Sequence, residues 1–182
     1  MSLRSVASLA LGGWLLLAAG CGGGKSLEGA GDGDSLYGAV QSFLVADEWY
    51  PEEIPGETIM KMNFQGTNTA WLVFAQTRED ARQVIIYSVL VSNVMPERRE
   101  AASQYLTLAN YGLWLGNFEI DMSDGEVRFK TSVDVEGGLL TQTMIKNLIY
   151  ANVTLMDRYL SGLNKVVYEG IEPSMAISEI EG

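Results

Sequence analysis

Histidine is absent from the 182 residues of this chain, which removes the side chain that most often moves protons near neutral pH. Cysteine occurs once, at Cys21. No intrachain disulfide can form, and a catalytic thiolate would have no imidazole to take its proton. Cations are scarce: 12 Lys and Arg against 23 Asp and Glu leave a net charge of −11. That balance repels phosphate backbones and anionic headgroups, so no nucleic-acid partner is expected. Proline is confined to Pro51, Pro55, Pro96 and Pro173, which leaves room for unbroken elements between them.

The longest apolar run, Val6 to Ala19, falls short of the roughly 20 residues that a spanning helix needs. It follows a short positive start, Met1 to Arg4, and ends on the small residues Ala18, Ala19 and Gly20 just before Cys21. This is the layout of a signal peptide over residues 1–20. Leu17-Ala18-Ala19-Gly20-Cys21 resembles the lipobox of bacterial lipoproteins. The resemblance implies cleavage before Cys21, lipid on its thiol and acylation of the new amine, and two or more acyl chains hold a protein stably at a membrane. Gly22 after the cysteine, by resemblance to enterobacterial sorting, implies the outer membrane in a diderm cell, or else the outer face of the cytoplasmic membrane.

Residues 21–34 then read as a glycine-rich tether, and residues 35–182 as one domain. Gly24-Lys25-Ser26 imitates the end of a phosphate-binding loop, but its first glycine would fall at Ala19 and no strand precedes it. Asp32 and Asp34 open like a calcium loop, yet Leu36 and Phe43 stand where ligands should be. Neither a cofactor nor a metal is expected.

The domain begins as a helix that Asp34 or Ser35 can cap, with Leu36, Val40, Phe43 and Leu44 at helical spacing. Three strand-like runs follow: Thr58 to Gln65, Thr69 to Gln76 and Arg82 to Val91. A hairpin closing on residues 65–68 would set Met62 against Trp71 and Met60 against Val73, with Val84, Ile86 and Leu90 added to the same core face. Pairing Gln76 with Gln83 then puts Leu72, Phe74, Ile85, Tyr87 and Val89 on the opposite face. That stripe is too apolar to be left in water. Either the first or the terminal helix covers it, or these five residues form a surface for a protein partner or a second copy of the chain.

Pro96 suits a first helical turn, and Ala101, Ala102, Tyr105, Leu108, Ala109 and Leu113 mark the buried stripe of a second helix. A hairpin comes next. With Asp124-Gly125 as its turn, Phe118, Ile120, Met122, Val127 and Phe129 point one way, Asp121 faces Arg128, and Glu119 faces Lys130. Those cationic partners make the acids Glu119, Asp121, Asp124 and Glu126 a solvated face rather than a metal site. A long helix carries Met144, Ile145, Leu148, Ile149, Leu155, Met156, Tyr159 and Leu160 on one side, with Ser161-Gly162 expected to weaken or bend it. Pro173 starts a last short helix. Asn152-Val153-Thr154 matches a glycosylation acceptor but falls inside the long helix.

The expected order is α-β-β-β-α-β-β-α, an α+β fold on an antiparallel sheet of about five strands. The stretches ANYGLWLGNFEIDMSDGEVRFKTSVDVEGG, IKNLIYANVTLMDRYLSGLNKVVYEG and EPSMAISEIE resemble the YbjN domain, a family of bacterial sensory transduction regulators. Gly116, Phe118, Gly125, Asn152, Asp157, Tyr159 and Ala176 fall where the family pattern expects them. The resemblance implies a fold like that of type III secretion chaperones, which are protein-binding modules and often dimeric, and it supplies no catalytic residue. A non-catalytic, membrane-anchored binding protein is therefore the expected function, with a carrier of an apolar ligand or a structural envelope lipoprotein as alternatives and a hydrolase behind them.

Overall fold

In the computed structural model, which describes residues 29–30, 34–67 and 69–182, the chain passes through β1 (Gly29–Ala30), α1 (Leu36–Ala46), β2 (Glu52–Glu53), β3 (Ile59–Gln65), β4 (Ala70–Arg78), β5 (Gln83–Val89), α2 (Arg99–Gly112), β6 (Asn117–Ile120), β7 (Val127–Asp134), β8 (Leu140–Thr141), α3 (Gln142–Asn164) and α4 (Pro173–Glu181). A 3-10 turn at Pro96–Arg98 leads into α2, and a π-helical turn at Lys165–Glu169 extends α3. The architecture is α+β. Its main sheet is antiparallel in the order β2-β3-β4-β5-β7-β6, so it holds six strands rather than about five. The extra one is the two-residue edge β2, whose Glu52 stands opposite Lys61 and pairs with it at 2.8 Å.

The expected faces are the observed ones. Met60, Met62, Trp71, Val73, Ala75, Val84, Ile86, Phe118, Val127 and Phe129 are buried in one core with Leu36, Val40, Phe43 and Leu44 of α1 and Ile145, Ile149, Val153 and Met156 of α3. The registers differ. Met62 faces Val73 and Phe64 faces Trp71; Gln76 faces Ile85; Glu119, not Asp121, faces Arg128. Each hairpin pairs two residues away from the expected alignment. Because side chains alternate with a period of two, a slip of two keeps every residue on its face, whereas a slip of one would have inverted them all.

Local packing accounts for the other differences. Leu106 rather than Leu108 is buried in α2. Met122 lies in a six-residue loop, 47% exposed, because the β6–β7 ladder ends at Ile120 and Val127. The segment expected to be a free tether up to residue 34 is docked at Gly29 and Ala30, which pair with Thr141 and Leu140, and Ala30 is buried. Helix α3 runs unbroken past Ser161-Gly162. Among the described residues no helix is long and apolar enough to cross a membrane.

Candidate functional site

Strands β4 and β5 have one face in the core and one facing away from it. On the outward face the ladder sets Leu72 opposite Val89, Phe74 opposite Tyr87 and Gln76 opposite Ile85. All five apolar side chains singled out from the sequence are therefore neighbours across two adjacent strands. Each is half-buried, and none packs against the core. The first and terminal helices, expected as one possible cover, pack with the core on the other side of the sheet. An antiparallel sheet can leave one face in water, but that face is normally polar.

Charge is distributed unevenly around this stripe. Outward positions of the sheet carry Lys61, Arg78, Arg128 and Lys130 against Glu52, Glu119 and Asp134. The face is thus close to neutral on a chain of net charge −11. The Arg128 guanidinium lies 4.7 Å from the centre of the Tyr87 ring, a cation–π contact at the rim of the stripe. Glu119 accepts from Arg128 Nε at 2.7 Å and also pairs with Lys130. Burial pushes the Glu119 carboxyl up, but the hydrogen bonds from Lys130, Arg128 and Asn117 together hold it below the usual carboxylate range.

The other acids of that hairpin have local duties. Asp121 Oδ1 accepts from the Ser123 amide at 2.7 Å and from its hydroxyl at 2.6 Å, and Asp124 accepts from the Glu126 amide at 2.8 Å. Glu126 lies 3.8 Å from Arg128. Asp121 is therefore a turn residue and not the partner of Arg128, as the shifted register requires.

One polar cluster is hidden between α3 and the sheet. Trp71 Nε1 donates to Ser88 Oγ at 2.9 Å; Ser88 Oγ donates to Asn152 Oδ1 at 2.6 Å. Asn152 Nδ2 reaches Ile86 O at 2.9 Å, Phe129 O at 3.1 Å and Thr131 Oγ1 at 3.2 Å. An indole can only donate, so the direction of the whole relay is fixed. Asn152 is fully buried, and its side chain is a structural staple with no access for a glycan. The sequence reading missed Ser88, expecting only apolar residues on that face of β5. The signal was a serine at an inward position between Ile86 and Leu90.

The seven residues that carry the family resemblance all have structural duties. Gly116 and Gly125 have φ of 74° and 89°, and a Cβ would lie 2.5 Å from Lys130 O in the first case and 2.1 Å from Val94 O in the second. Phe118 packs on Phe129, centroids 4.6 Å apart. Asp157 accepts from the Thr67 amide at 2.8 Å and its hydroxyl at 2.6 Å, fastening the β3–β4 turn to α3. Tyr159 donates to Glu181, and Ala176 is fully buried. None lies in the outward stripe. Cys21 lies outside the described residues.

An antiparallel sheet backed by helices on one side, with an apolar stripe on the other, defines an α+β scaffold. The chain belongs to the YbjN family, described as "Putative bacterial sensory transduction regulator", whose pattern matches residues 39–165. Among solved structures it is similar to YbjN from E. coli, described there as "a putative transcription regulator", with a TM-score of 0.54 and 11% identity. The likeness covers 66% of this chain and 85% of that one, and at this identity it speaks for the fold, consistent with the chaperone-like architecture. No curated protein matches the chain.

Proposed function

We propose that this chain is a non-catalytic binding protein of the bacterial envelope, exported, held at the membrane by lipid on Cys21, and active through the open face of its sheet. The observation that carries the reading is the stripe Leu72, Phe74, Ile85, Tyr87 and Val89, five apolar side chains side by side on the face of the sheet turned away from the core. A second copy of the chain is the occupant that fits best. Two strongly acidic copies repel each other over most of their surface, and the near-neutral outward face is where they can approach. Export would separate this member from cytoplasmic regulators, so any regulatory role would be exercised in the envelope.

Chemical cross-linking of the intact lipoprotein in membranes tests the reading. Wild-type protein should give a dimer that Phe74→Glu abolishes. A monomer at every expression level would reject the second copy as occupant. The anchor is tested separately: Cys21→Ser should abolish fatty-acid labelling and release the protein from membranes. Retention of full-length Cys21→Ser would make the leader a transmembrane anchor instead.

A further inference from the structure

Between Glu100 and Glu119 lie eighteen consecutive residues without a charge, in a sequence of which 19% is charged. Part of this run is core, with Ala102, Tyr105, Leu106 and Ala109 buried. Four large apolar residues of the run face water instead: Leu108 is 40% exposed, Tyr111 96%, Trp114 97% and Leu115 59%. Leu108 and Tyr111 are one turn apart on the outer side of α2, and Trp114 and Leu115 follow in the connection to β6. The connection is pinned at both ends. Asn110 bridges it, donating to Phe118 O at 3.0 Å and accepting from the Phe118 amide at 2.7 Å, and the backbone of Gly116 is pressed against the Lys130 carbonyl. A fixed backbone thus holds a tyrosine and a tryptophan out in water. Both have an apolar body and a polar tip, the pairing that favours a membrane–water boundary.

The attachment of the N-terminal segment indicates the occupant. Gly29 pairs with Thr141, which caps α3. Leu115 lines a depression with Met144 and Leu148 of the same helix, whose positions lie within about 10 Å of Thr141 along the axis. Gly29 is eight residues on from Cys21. However those residues are arranged, Gly29 stays within about 28 Å of the anchored cysteine.

We propose that Tyr111, Trp114 and Leu115, with Leu108 behind them, dock on the phospholipid surface to which Cys21 is anchored and so set the orientation of the domain. The inference rests on lipidation of Cys21. Charge does not drive the contact, because Glu181 lies 3.1 Å from where a Cβ on Gly112 would be and the chain is acidic overall. Zwitterionic lipid should therefore serve better than anionic lipid.

The test uses the purified lipoprotein in phosphatidylcholine vesicles with brominated acyl chains. Once the leader is gone the tryptophans are Trp49, Trp71 and Trp114, of which Trp71 is buried in the core. Bromolipid should quench emission that Trp114→Phe removes, and aqueous acrylamide should quench Trp114 far less in vesicles than in the released Cys21→Ser protein. Protein that floats with the vesicles while Trp114 remains equally open to acrylamide would overturn the docking and leave the anchor standing. Protection seen in native membranes but not in protein-free vesicles would identify a protein occupant and equally overturn it. If Cys21 carries no lipid, mass spectrometry of the intact chain shows it, and anchor and docking fall together.

Discussion

The hydroxyl of Tyr105 fills the space that a side chain on Gly162 would need: a Cβ there would lie 2.2 Å from the oxygen and 2.8 Å from the ring carbon that bears it. The same hydroxyl donates to Tyr159 O at 2.8 Å, joining α2 to α3. A glycine that reads from the sequence as a helix breaker is instead the gap that admits a tyrosine.

Gly162→Ala therefore sets two effects against each other. Alanine gains about 1 kcal/mol of helix propensity. Overpacking costs about 1–3 kcal/mol, and the displaced buried hydroxyl about 1 kcal/mol or more. Net destabilisation of about 1–3 kcal/mol is expected in urea unfolding. In a Tyr105→Phe background the same substitution should cost less, since the closest atom is gone. Equal costs in the two backgrounds would mean that the ring, not the hydroxyl, sets the clash.

Asn152 offers a sharper measurement. Its amide nitrogen serves two backbone carbonyls and Thr131, and its oxygen takes the Ser88 proton. Asn152→Leu should cost about 2–4 kcal/mol by leaving buried polar groups unpaired. Asn152→Asp places a carboxylate in a fully buried site, where burial raises its folded-state pKa above the unfolded value. The folded variant then binds the proton more tightly, so its deficit relative to wild type should shrink as pH falls from 7 to 4. A deficit independent of pH would show that the site admits water.

The sequence revealed the faces of this fold better than its alignments. Alternation assigns Met60, Val73, Ile86 and Phe129 inward and Leu72, Phe74, Tyr87 and Lys130 outward whatever the loop length. Loop closure depends on bonds that the pattern does not carry, such as Gly66 N to Thr69 O at 2.9 Å and Gly125 N to Asp121 O at 2.7 Å. The stripe was legible for the first reason. That no helix covers it was not, because the side of the sheet on which α3 packs is fixed by long-range contacts such as the Asn152 relay rather than by its own amphipathic pattern. Nothing in the pattern singles out Trp114 either, since it lies between Leu113 and Leu115 and past the last position of the α2 stripe.

Glu79 shows an interaction that spacing alone does not reveal. Its carboxylate accepts from the Leu36 amide at 3.0 Å, the Tyr37 amide at 2.8 Å and the Ser35 hydroxyl at 3.2 Å, capping α1 from a distant loop. Burial pushes this carboxyl up, but the amides of Tyr37 and Leu36, the Ser35 hydroxyl and the Arg82 charge together hold it below the usual range. A lowered folded-state pKa gives stability that is present above the unfolded value and lost as pH falls through the folded one. Glu79→Gln should cost about 1 kcal/mol at pH 7 and less at pH 3. An unchanged difference across that range would remove Glu79 from the acid limb of the unfolding curve.

Val73 and Phe74 are adjacent in sequence and opposite in setting. Val73 is fully buried and packs in the core, whereas Phe74 is half-buried in the outward stripe. Glutamate at position 73 would put an unpaired charge in the core between Met62 and Ser88, its cross-strand neighbours, a cost of about 3–5 kcal/mol that a domain of ordinary stability barely survives. Glutamate at position 74 can keep its carboxylate in water and lies beside Lys61, the cross-strand neighbour of Phe74. It should change the unfolding free energy of the monomer by no more than about 1 kcal/mol. The pair of variants therefore separates face from function. Val73→Glu should fail by circular dichroism and proteolysis, and Phe74→Glu should remain folded and lose its cross-linked dimer. If Phe74→Glu unfolds as readily as Val73→Glu, the stripe is a covered layer of the core and cannot be the surface that receives a partner.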